Sequence, residues 1–152
     1  MANQNNAVDT LKTADGAEWM TARPGERFRV PVFATATGGA YSVVEIISEP
    51  GDSTPLHVHA KEDEYLLVLE GTARVVLGEE TIEATTGQTL EMKRGIPHAW
   101  GNPSDKPIRL LFTVTPGGCE EALVLIAKGG EIDLAAIAAQ SGVTILGPPI
   151  LT

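Results

Sequence analysis

The chain of 152 residues contains only three histidines, and all fall in two short stretches: His57 and His59 in Pro55-Leu56-His57-Val58-His59, and His98 after Gly95-Ile96-Pro97. Residues at i and i+2 of an extended strand share a face, so His57 and His59 point the same way. Glu64 follows five residues after His59, at the head of the apolar run Tyr65–Leu69. One loop and strand can therefore aim two imidazoles and a carboxylate at a common point, and His98 can complete the set. Three neutral imidazoles with one carboxylate suit a divalent transition metal (Fe, Mn, Ni, Cu or Zn), whereas Ca and Mg prefer all-oxygen shells. Taken alone, His-x-His on a strand also describes a pair of surface histidines.

Such a set needs a scaffold that presents short strands to one centre. From Phe28 onward, strand-like runs alternate with turn signals: Phe28–Phe33, Ala40–Ser48, Glu64–Glu70, Thr72–Leu77, Thr81–Ala84, Gln88–Lys93 and Ile108–Thr115. Short strands at this spacing predict an all-β barrel or sandwich. The end of the chain changes character. Cys119–Lys128 carries Glu120 and Glu121 in its first turn, Lys128 in its last and Gly129-Gly130 just beyond, which is the charge and cap order of a helix. A second short helix is expected over Glu131–Gln140, with Leu134, Ile137 and Ala138 on one face and Gly142 as its stop. The resulting division is an N-terminal arm over 1–20, a barrel over 21–116 and a C-terminal helical extension over 117–152 packed on the outside of the barrel.

Composition excludes several classes of function. The formal charge is −9 at pH 7 with 43% hydrophobic residues, so the chain is neither a disordered acidic segment nor a nucleic-acid binder, which needs clustered Lys and Arg to neutralise phosphate. The single cysteine, Cys119, has no partner for an internal disulfide or a thiolate metal site, and a reducing, cytoplasmic setting is expected. The longest apolar run, Ala122–Ala127, falls far short of the roughly 20 residues a membrane-spanning helix needs, so no membrane role is expected.

The histidines also lie in a longer pattern. Gly51 to Gly71 reads G-x5-H-x-H-x4-E-x6-G through His57, His59 and Glu64, and Gly87 to Asn102 reads G-x5-K-x-G-x2-H-x3-N through Lys93, Gly95 and His98. This resembles the two motifs of the cupin family at every fixed position but one, where Lys93 replaces a proline. The 15 residues between them, Thr72 to Thr86, match the short spacing of small single-domain cupins. The resemblance implies a double-stranded β-helix, or jelly-roll barrel, with one divalent transition metal held by His57, His59, Glu64 and His98. The tail, with Thr115-Pro116-Gly117-Gly118, Glu120 and Gly147-Pro148-Pro149, is similar to single-domain cupins described as quercetin dioxygenase-like, although an aromatic usually stands where this chain has Cys119.

That resemblance implies a metal-dependent dioxygenase acting on a small phenolic or enolisable substrate with O₂ as co-substrate, Glu64 serving as both ligand and catalytic base. Non-redox isomerisation, cyclisation or hydrolysis, and small-molecule binding without turnover, remain the alternatives. Tyr41, Val43, Glu45 and Ile47 share one face of the strand before the first motif, and Met92 and Trp100 flank His98. Of these, Tyr41, Glu45, Met92 and Trp100 are the pocket candidates. Trp100 reads first as core, and a buried Glu45 would need a partner or a raised pKa. Cys119 reads as a helix-start thiol with no catalytic duty, since no histidine is left to activate it. A homodimer is expected, because Trp19 and Phe28 offer an apolar strand that would otherwise be an exposed edge.

Overall fold

Strict alternation of buried and half-buried residues along Ile108–Thr115 sets the inside of the molecule: Ile108, Leu110, Phe112 and Val114 face inward, as period-two patterning requires of a half-buried strand. This strand, β9, is the centre of one five-stranded antiparallel sheet in the computed structural model, which describes residues 18–151. The sheet has the order β1-β2-β9-β4-β7, with β1 at Glu26–Val32, β2 at Ser42–Ser48, β4 at Asp63–Glu70 and β7 at Thr89–Met92. A second sheet, β10-β3-β8-β5-β6, faces it, with β3 at Pro55–His59, β5 at Thr72–Leu77, β6 at Glu80–Thr85, β8 at His98–Gly101 and β10 at Val143–Pro149. The architecture is all-β, the jelly-roll arrangement of a double-stranded β-helix, with two short helices near the C-terminus: α1 (Glu120–Lys128) and α2 (Leu134–Gln140).

The core between the sheets holds Phe28, Val30, Val44, Ile46, Leu66, Val68, Val75 and Met92 alongside the β9 row. Each fully buried large side chain of this kind is worth about 1.5–3 kcal/mol. Two motif residues have structural duties. At Gly71, φ is +92°, and a Cβ there would lie 2.5 Å from Cγ2 of Ile108, so the β4–β5 turn admits glycine alone. Asn102 is fully buried; its Nδ2 donates to the carbonyls of Ser48 and Lys106, and its Oδ1 accepts from Ser104. Lys93, in the position where the family pattern has proline, is exposed and pairs only loosely with Glu91 at 3.8 Å.

The tail differs from expectation in two ways. Residues 143–149 form a strand, β10, that pairs antiparallel with β3, Val143 opposite His59 and Ile145 opposite His57. The helices do more than cover the outside: Leu123 and Ile126 of α1 and Ile137 and Ala138 of α2 form a wall of the interior cavity. Glu120 fastens this tail to the barrel. Its buried carboxylate accepts from the backbone N–H of Ala34 at 2.7 Å and of Gly118 at 3.0 Å. Asp133 caps α2 by accepting from Ala136 N.

Of the arm expected over 1–20, residues 1–17 lie outside the described residues. Met20 makes a two-bond bridge with Phe28. Phe28 itself is fully buried in the core rather than lying at an exposed apolar edge. Among the described residues no helix is long and apolar enough to cross a membrane.

Candidate metal centre and its cavity

The site begins with register. His57 of β3 is directly opposite His98 of β8, while Gly95, at φ +80° in the turn before β8, donates from its N–H to the carbonyl of His59. That bond ties the His98 turn to the strand carrying the other two imidazoles. β10 covers the far edge of β3, so the ligand strand is held on both sides. Glu64 enters from the opposite sheet, where it is the register partner of Val114 on β9 and Met92 on β7.

The three histidines present one nitrogen each, and these atoms lie within 4.8 Å of one another. In every ring the Nδ1 edge is occupied: His57 Nδ1 lies 2.8 Å from the Pro55 carbonyl, His98 Nδ1 3.3 Å from the Ile96 carbonyl and His59 Nδ1 3.1 Å from Glu62 Oε2. An acceptor at Nδ1 fixes the proton there and leaves Nε2 with a lone pair. Glu64 faces two of those lone pairs, with Oε1 3.4 Å from His59 Nε2 and Oε2 3.1 Å from His98 Nε2. His98 Nε2 is buried and makes no hydrogen bond. Acceptors turned toward acceptors in a dry interior are costly unless a cation sits among them, so these residues fit a transition metal.

The electrostatics differ from ring to ring. Burial and the neighbouring His98 push the His57 imidazole down to about 4, so it is neutral and available as a donor. Burial opposes charge on Glu64, yet the surrounding imidazoles hold its carboxyl below the usual range. Burial also works against a charged His59, but Glu62 and Glu64 on either side outweigh it and raise its pKa.

A cavity of about 550 Å³ opens from this cluster. Its walls are mostly apolar, with Val44, Ile46, Phe112, Val114 and the helix residues named above. Of the expected pocket residues, Trp100 lines it. Glu45, Tyr41 and Met92 do not. β2 turns Val44 and Ile46 inward, against Phe112 and Leu110, so Val43, Glu45 and Ile47 face outward. Both faces of this strand are apolar, and hydrophobicity alone does not set its parity. Glu45 is buried on the outside between two guanidiniums, with Arg29 Nε 2.6 Å from Oε2 and Arg109 Nη2 bonded to Oε1. Tyr41 precedes β2 and is exposed, its backbone held by the Thr37 hydroxyl. Met92 is fully buried core beside Glu64.

Cys119 stands at the start of α1 and lines the cavity as a half-buried thiol, pushed well above its ordinary pKa by desolvation and by nearby carboxylates. Three residues at the site were not anticipated. Glu62 orients His59, and Arg23 and Glu26 line the cavity. Glu26 had a legible signal, since Glu26, Phe28 and Val30 share one strand face.

Residues 44–114 match the Cupin domain family profile, and with the double-stranded β-helix topology this supports the cupin superfamily. The chain is 30% identical over 104 residues to mannose-1-phosphate guanylyltransferase 2 of Escherichia coli O157:H7, covering 68% of this chain and 22% of that protein. It is 30% identical over 86 residues to the tetracenomycin polyketide synthase protein TcmJ of Streptomyces glaucescens, covering 57% and 56%. It is 26% identical to quercetin 2,3-dioxygenase of Bacillus subtilis over 68% of this chain and 30% of that one. The chain thus spans between about a fifth and just over half the length of these relatives. Among solved structures, KdgF from Halomonas sp. superposes with a TM-score of 0.62 at 15% identity, over 68% of this chain and 90% of that one, a likeness of fold.

Proposed function

We propose that this protein is a metal-dependent cupin enzyme, with one transition metal held by His57, His59, Glu64 and His98, acting on a small phenolic or enolisable compound. The observation that carries the reading is the convergence of three Nε2 lone pairs and one carboxylate at the end of an apolar cavity. A bound transition metal would supply Lewis acidity at a substrate oxygen and, if redox-active, electron exchange with O₂. Glu64, held in its charged form, is placed to accept the proton of a substrate hydroxyl. The apolar walls bind the carbon skeleton and exclude water from the site. They suit a sugar phosphate poorly, because Arg23 is the one Lys or Arg among the described lining residues and it is already paired with Asp52 and Glu26.

Dioxygenation is the first reading. Cyclisation or rearrangement without O₂ is the second, favoured by apolar walls that suit a polyketide skeleton, in a chain 30% identical to a polyketide synthase protein over 57% of its length. We place the enzyme in the cytoplasm as a homodimer, which light scattering checks against the 16.0 kDa chain mass.

The test pairs metal analysis with oxygen uptake over phenols and 1,3-diketones. Protein purified without added metal should carry about one transition metal per chain, and the double variant His57→Ala/His98→Ala should carry none. O₂ consumption matched to product supports dioxygenation; product without O₂ uptake assigns the second reading. Unchanged metal content in the double variant overturns the ligand set. Per bound metal, Glu64→Gln should lower turnover roughly 10²–10⁴-fold, and near-normal turnover removes Glu64 as the base.

A further inference from the structure

The cavity has a second polar place besides the histidines. Arg23 and Glu26 both line it. The guanidinium of Arg23 is fixed from three sides. Nε and Nη2 donate to Oδ1 and Oδ2 of Asp52 at 3.0 and 3.1 Å, Nη2 lies 2.7 Å from Glu26 Oε2, and Cζ sits 5.2 Å above the Trp100 ring. Asp52 is held in turn by the Ser48 hydroxyl at 2.6 Å. Such a network pre-orders both side chains before any ligand arrives. Trp100 is two residues along β8 from His98, a step of about 6–7 Å along an extended strand. The arginine resting on Trp100 therefore marks a second polar place set apart from the histidine cluster, within the same apolar enclosure.

We propose that Arg23 and Glu26 form a second anchoring subsite, specific for a neutral hydroxyl or carbonyl oxygen on the part of the substrate remote from the metal cluster. This rests on the apolar phenolic or enolisable substrate proposed above and adds to it a second oxygen function, remote from the first. Charge decides for a neutral group. Asp52 already balances Arg23, so a carboxylate or phosphate arriving beside Glu26 finds no uncompensated cation. Burial pushes the Glu26 carboxyl up to about 7, against the pull of Arg23 and with the push of Asp52. Near neutrality Glu26 both donates and accepts, which matches a hydroxyl or a carbonyl. A ligand oxygen here gains a hydrogen bond that an apolar contact does not, so the subsite favours a substrate that carries it.

The experiment uses dibenzoylmethane, a 1,3-diketone with two phenyl arms, and its 4-hydroxy and 4-carboxy derivatives, whose para group places a second oxygen function remote from the diketone. Affinity for the metal-loaded protein is measured by calorimetry at pH 6 and pH 8. The 4-hydroxy compound should bind about tenfold more tightly than the parent, and the 4-carboxy compound no more tightly than the parent. In Arg23→Met and Glu26→Ala the hydroxyl preference should vanish while parent affinity stays within about threefold, which also reports an intact cavity. Glu26→Gln, permanently neutral and able to donate and accept, should keep the preference at both pH values. If the parent binds but the hydroxyl adds nothing in the wild type, or still adds tenfold in both truncating variants, the subsite is overturned and the metal-site reading stands. If no diketone binds, the substrate class proposed above is wrong and the subsite falls with it.

Discussion

Two buried carboxylates, each touching arginine, lie on opposite faces of neighbouring strands and are shifted in opposite directions. Glu45 on β2 is sealed against the outside of its sheet between Arg29 and Arg109. Burial alone would raise its pKa, but two guanidiniums overcome it and hold the carboxyl below its ordinary range. Glu26 on β1 faces inward, where its one arginine is shared with Asp52, and there burial wins and lifts it to about 7. The difference teaches that an ion pair alone does not decide whether a buried acid keeps its charge: Glu26 is more deeply desolvated and shares its one arginine with Asp52, whereas Glu45 meets two guanidiniums nearer solvent. On the outer face the charge is structural. In the cavity the carboxyl is shifted toward its protonated form.

The sharpest way to break this contrast is through pH. A carboxyl at about 7 in the folded chain and 4.5 when unfolded binds more protons folded than unfolded between those values. Its effect is thus to lower stability as pH rises from 4.5 to 7, by about 3 kcal/mol when complete. Chemical denaturation of wild type and Glu26→Gln from pH 5 to 8 should show the two curves diverging with rising pH, the wild type falling relative to the variant. Parallel curves would mean Glu26 ionises normally.

Glu45 has the opposite sign. Its depressed pKa contributes stability above the unfolded value that is lost as pH falls through the folded one. Glu45→Gln should cost about 1–2 kcal/mol at pH 7, the worth of charge-assisted bonds to partly exposed partners. That loss should shrink in acid, with cavity binding unchanged. A loss of diketone affinity in this variant would place Glu45 in the cavity after all.

The four candidate ligands stood out in the sequence because part of their spacing is local. Two imidazoles at i and i+2 share a strand face whatever the rest of the fold does, and glycine and asparagine at the motif ends answer turn requirements that act over a few residues. The cavity residues were not equally legible. β2 is apolar on both faces, so its inward row was fixed only when Phe112 and Leu110 of β9 took Val44 and Ile46 as register partners. That single choice removed Tyr41 and Glu45 from the pocket.

By itself the sequence determined an all-β barrel with two short C-terminal helices, and it marked His57, His59, Glu64 and His98 as a ligand set. Strand periodicity, turn residues and helix caps are written in neighbouring positions, and so is a two-residue spacing of ligands. Tertiary structure alone decided that residues 143–149 become a strand beside β3, that α1 and α2 close the cavity, and that Arg23 meets Asp52, Glu26 and Trp100. Those outcomes depend on contacts between segments tens of residues apart, where burial and shared charge, absent from any local pattern, set which side chains face the ligand.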